Sequence, residues 1–77
     1  MINAATSLAI TANLEALRIR LERAAALAGE ARLAMANNKQ NLAIGTVLEF
    51  EQSLPECVAL FRAILALHRS ASREVQP

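Results

Sequence analysis

The chain has 77 residues, enough for one small domain, and 55% of them are apolar, well above what a disordered chain carries. Its net charge of +1 gives no electrostatic case for a dedicated nucleic-acid or anionic-membrane binder. One cysteine and one histidine exclude an internal disulfide and a protein zinc site, so the usual staples of a small fold are missing.

Residues Met1 to Ala12 have neither the basic start nor the long apolar core of a secretory signal. From Ile10 the apolar residues Leu14, Leu17, Leu21, Ala24, Ala28, Ala31 and Met35 follow at alternating spacings of four and three, which predicts a long, coiled-coil-like first helix with this stripe as its core face. Leucines occupy its first half and alanines its second, so a neighbour should come closer at the Ala24 to Ala31 end and fill it with large side chains. Asn13 with Glu15 offers one start, Asn3 another, and the sequence leaves the choice open. The group Arg18, Arg20 and Arg23 is the densest basic patch, and Glu15 and Glu22 stand at pairing distance from Arg18 along the helix, which makes it a solvated face.

The helix should stop near Ala36, since Asn37 and Asn38 accept the left-handed cap conformation and Lys39 places a cation at the negative helix end. So short a polar connection predicts an antiparallel helical hairpin. Gly29 reads as a tolerated exposed position; Gly45 marks either a close helix approach or a late helix onset.

In the second arm two signals compete. Ser53 to Glu56 has the spacing of a capping box with proline near the first helical position, which argues for a new helix at about Leu54. Yet Ile44, Val47, Leu54, Val58, Phe61 and Leu65 keep one three-four register across Pro55, interrupted only by Glu51, which argues for a single kinked arm. Either way a bend is expected between Gln52 and Pro55. The fold class is therefore all-α: a hairpin over 1–77 with a kink or break near Pro55, flexible ends at about 1–9 and 70–77, completed by oligomerisation or by a partner.

Chemistry is thin. Cys57 and His68 stand eleven residues apart, about 16 Å along one helix, too far for a nucleophile and its base. Cys57 reads as a small buried apolar residue and His68 as a cation at a helix C-terminus. There is no aspartate, no glycine-rich phosphate loop and no metal-ligand spacing, so neither catalytic residues nor a cofactor nor a metal is expected. The apolar run from Leu54 to Leu67 is too short for a membrane span and contains Arg62; together with the lone cysteine this points to the cytoplasm.

What remains is surface. Leu60, Ile64 and Leu67 fall partly outside the core register that Val58, Phe61 and Leu65 follow, and some of them must look outward from a two-helix hairpin; on the first arm Ile19 and Leu33 lie opposite the core stripe. These eight residues form the expected partner-binding surface. The segment Ala16 to Asn38, ALRIRLERAAALAGEARLAMANN, its Asn-rich turn and the segment Glu56 to Leu65, ECVALFRAIL, resemble the small helical-hairpin co-chaperones of type III secretion needle subunits. The resemblance implies a cytoplasmic protein that, with a second chaperone, keeps a helical subunit from polymerising. The sequence thus favours a chaperone, adaptor or inhibitor that shields an apolar helix. A homo-oligomeric bundle is the alternative, and a nucleic-acid-binding bundle using Arg18, Arg20 and Arg23 is the least favoured.

Overall fold

A computed structural model describes residues 4–75, with side chains to residue 71. Three helices follow one another: α1 (Ala4–Ala36), α2 (Gln40–Val47) and α3 (Phe50–Val75), with no strand among the described residues. Helix α1 runs antiparallel to α2 and α3 together, which gives the expected all-α hairpin.

The helix begins at Ala4, so Asn13 is interior rather than a cap: its Nδ2 donates to the Ala9 carbonyl at 2.8 Å. Asn3 lies outside the described residues, as do 1–3 and 76–77 of the segments expected to be flexible; residues 4–9 and 70–75 of those segments are helical. Alanine-rich early turns favour this longer helix.

Its C-terminus ends as the asparagines predict. Asn38 has φ 59°, the Lys39 N–H donates to the Ala34 carbonyl at 2.8 Å, and the Asn38 N–H donates to the Met35 carbonyl at 3.0 Å. These two bonds satisfy carbonyls that would otherwise be orphaned, with asparagine at the one position that needs a left-handed backbone.

The second arm is one helix pair bent at Leu48 and Glu49, not at Gln52 to Pro55, and no new helix starts at Leu54. Pro55 lies inside α3, where its missing N–H leaves only the Glu51 carbonyl without a helical donor. Ahead of it the Glu51 and Gln52 N–H groups donate to the Leu48 and Glu49 carbonyls at 3.1 Å, a tighter i to i+3 pattern, and the chain deflects there, about two turns before the ring. Leu48 keeps right-handed helical angles (φ −60°, ψ −27°), and the arm continues in its direction. The capping box is not made: Ser53 Oγ is buried without a hydrogen-bond partner.

The seam between the arms holds Ile10, Asn13, Leu17, Arg20, Ala24, Leu27, Ala31 and Ala34 from α1, facing Ala43, Val47, Phe50, Ser53, Cys57, Leu60, Ile64, Leu67 and Ala71. Only half of the expected α1 stripe lies there. Leu14, Leu21 and Met35 are exposed, and Asn13, Arg20, Leu27 and Ala34 take the alternate positions. The expected second-arm register is displaced more strongly: Ile44, Leu54, Val58 and Phe61 are exposed, while Leu60, Ile64 and Leu67, expected outside, are half-buried in the seam.

Close approach explains the exchange. The buried cluster is Ala31, Ala34 and Ala43, with Val47 packed against it, so alanine meets alanine where large side chains were expected. Small residues let two backbones approach, and each helix turns its leucines to one side to allow it. Gly45 plays no part in this, because a Cβ there would have nothing within 4 Å; Gly29 is equally open.

The hairpin is a rod, 61 × 16 × 13 Å, with a radius of gyration of 17.6 Å against about 11 Å for a compact chain of this length. Among the described residues no large side chain is fully buried.

Candidate interaction face

Two cross-arm ion pairs fix the sides of the rod. Arg23 donates through Nε and a terminal nitrogen to both carboxylate oxygens of Glu49, at 2.7 and 2.8 Å, and Arg20 Nε stands 4.0 Å from Glu56. On a helix, residues two apart lie about 160° from each other, at 100° per residue. Leu21 is two before Arg23, and Leu54 is two before Glu56. Since the charged partners meet along one edge of the seam, Leu21 and Leu54 both line the other.

The same periodicity places Leu14 and Met35 of α1 with Leu21, and Ile44, Val58 and Phe61 of the second arm with Leu54. Seven of the twelve large apolar residues exposed among the described residues therefore share one flank, each close to half exposed (Leu21 49%, Phe61 53%). Leu17 and Leu65, both half-buried, extend it. Along α1 the side chains of Leu14, Leu17, Leu21 and Ala25 line a shallow, almost wholly apolar groove bordered by Arg18 and Glu22.

Arg18 would interrupt this surface if its charge stood over it. Instead its guanidinium donates to Glu15 and to Glu22, the latter at 2.5 Å, on the outer face of the helix. These bonds hold the Glu15 carboxyl below its ordinary range and raise the Arg18 guanidinium. The cation is thereby drawn outward from the α1 groove, while on the second arm Glu51, seven residues from both Ile44 and Val58, stands in the line of the flank.

The opposite flank is of another kind. Arg20, Arg23, Glu49, Gln52, Ser53 and Glu56 line an open groove with Ile19 at its margin. The Arg23 hydrogen bonds push the Glu49 carboxyl down, against a weaker opposing effect of desolvation, and the same bonds raise Arg23. Each of Arg18, Arg20 and Arg23 thus stands within 4.0 Å of a carboxylate, and the basic patch read from sequence is neutralised pair by pair.

The eight residues expected to bind a partner are divided by this geometry. Val58 and Phe61 lie exposed on the apolar flank, with Leu65 half-buried beside them. Ile19 and Leu33 are exposed away from the apolar flank, Ile19 at the margin of the charged groove and Leu33 fourteen residues on along the same side of α1. Leu60, Ile64 and Leu67 belong to the seam. The residues missed are Leu14, Leu21, Met35, Ile44 and Leu54, all assigned to the core. A signal for them existed: Arg23 and Glu49 have opposite charges at positions that face each other only if the leucines point the other way.

Cys57 is buried in the seam, as its small apolar character suggested, while His68 is exposed farther along α3. Among the described residues no three histidine, cysteine or carboxylate side chains gather as metal ligands, and no helix is long and apolar enough to cross a membrane. Comparison with protein-family models, with curated proteins and with solved structures finds no match for this chain.

Proposed function

We propose that the chain is a non-catalytic protein-interaction module, a small cytoplasmic chaperone, adaptor or inhibitor whose apolar flank covers an apolar helical surface. The observation that carries this reading is the distribution of side-chain size. The residues the hairpin buries most are alanines and a cysteine, while Leu14, Leu21, Met35, Ile44, Leu54, Val58 and Phe61 stand half exposed along one side. A monomer seldom leaves a contiguous apolar patch of this kind uncovered, and a groove flanked by two helices accepts a third helix or a pair. The resemblance to the helical-hairpin co-chaperones supports the chaperone form of the reading. The neutralised arginines give the nucleic-acid alternative no support.

The test is binding of a labelled amphipathic peptide with a leucine heptad stripe, followed by fluorescence anisotropy. Wild type should bind it, and Phe61→Glu should weaken binding at least about tenfold, the loss of roughly 1.4 kcal/mol of contact. Ile19→Glu, on the charged flank, should change little. A wild-type chain that neither binds the peptide nor self-associates would end this reading.

A further inference from the structure

We infer that the apolar flank is closed by a second copy of this chain, two hairpins laying these flanks together about a two-fold axis as a four-helix bundle. The inference rests on the interaction reading above and names the occupant of that face.

Area is the first argument. The chain exposes 5880 Å², about 1,300 Å² more than a compact folded chain of its mass would show. A standard stable interface removes about 800 Å² from each partner, so one flank-to-flank contact accounts for most of the excess. The second argument is the core. The buried apolar residues are Ala31, Ala34, Ala43, Cys57 and Ala71, none of them large. Such a seam orders two helices at the cost of their conformational entropy while removing little apolar surface from water. The hairpin therefore needs completion as soon as it is made, and its own sister chain is the one complement present at equal concentration wherever it is synthesised.

Equilibrium sedimentation of the full chain from about 1 to 100 μM, a range spanning ordinary dimer affinities, tests this directly. The expected species is a dimer, with Phe61→Glu weakening it at least about tenfold and Ile19→Glu leaving it unchanged. Should the glutamate variant lose its helices, a gentler probe replaces it: in a Cys57→Ala background, Leu54→Cys should be protected from alkylation increasingly with concentration, and Ile19→Cys should react at every concentration. A wild-type monomer throughout the range, or a dimer in which Leu54→Cys stays freely reactive, overturns the inference. A monomer that still binds the leucine peptide leaves the interaction reading standing; a monomer that does not removes both.

Discussion

The seam and the apolar flank of this hairpin divide the side chains by size in the reverse of the usual arrangement. In the seam near the turn, Ala31 and Ala34 meet Ala43 with only Val47 packed on them; on the flank, Leu14, Leu21, Leu54 and Phe61 stand half in water. The seam is built for close backbone approach and the flank for receiving something. A small residue contributes little transfer free energy but permits contact distance, whereas a half-exposed leucine or phenylalanine holds most of its own in reserve until another surface arrives. Specification of the hairpin and stabilisation of the finished particle are thus assigned to different residues.

The sharpest way to break the comparison is to place one charge in each region. Ala43→Asp buries a carboxylate at a site only 3% exposed, and should destabilise by about 3 kcal/mol or more, seen as loss of the helical circular-dichroism signal at ambient temperature. Leu21→Asp meets solvent instead, and in a chain diluted to the monomer should cost about 1 kcal/mol or less. At concentrations where wild type associates, the same substitution should abolish the association. Equal loss of helicity from both would mean that the two regions are not distinct.

Much of the fold was legible before the coordinates. The Asn37-Asn38-Lys39 signal placed the turn correctly because left-handed backbone, cap bonds and polarity all demand the same residues there. Helix content followed from alanine and from periodicity. Rotation about each helix axis did not follow, since Leu14 and Leu21 fit a core stripe as well as a flank and hydrophobicity alone ranks leucine above Ala34 or Arg20. What turned the helices was contact distance and the Arg23 to Glu49 pairing, both properties of two elements together. Pro55 misled for a similar reason. The bend appears instead at Leu48 and Glu49, where the bonding tightens to an i to i+3 pattern, and not at the proline. Val58 and Phe61 fit the core register yet turn outward, while Leu60, Ile64 and Leu67, which fall partly outside it, turn inward, because one slipped register exchanges the two sets.

Smaller changes sharpen the picture of the second arm. Pro55→Ala restores a donor to the Glu51 carbonyl and removes the ring's clash, so it should raise stability by roughly 1–2 kcal/mol and lessen the bend at Leu48, measured by thermal melting and by the spacing of spin labels across the bend. Gly45→Ala and Gly29→Ala should each add about 0.5–1 kcal/mol, since both positions are helical, neither has a positive φ, and a Cβ meets nothing within 4 Å. A loss at Gly45 would instead show that this position approaches another surface, as the turn end of a closed bundle would require.

The faintest expected effect lies on the charged flank. Arg23 holds the Glu49 carboxyl below its ordinary value, so the folded chain binds this proton less readily than the unfolded one. The contribution is therefore complete at pH above the usual carboxylate range, and falls away as acid carries the pH down through the lowered folded value. Glu49→Gln should reduce the melting temperature slightly at neutral pH and hardly at all once Glu49 itself is protonated, with the neutral-pH difference shrinking in high salt because both groups face solvent. Helix-to-helix pairing at this edge also fixes which way the leucines turn. If Glu49→Gln changed association as strongly as Phe61→Glu does, the charged edge would be part of the contact, and the two flanks would have to be treated as one surface.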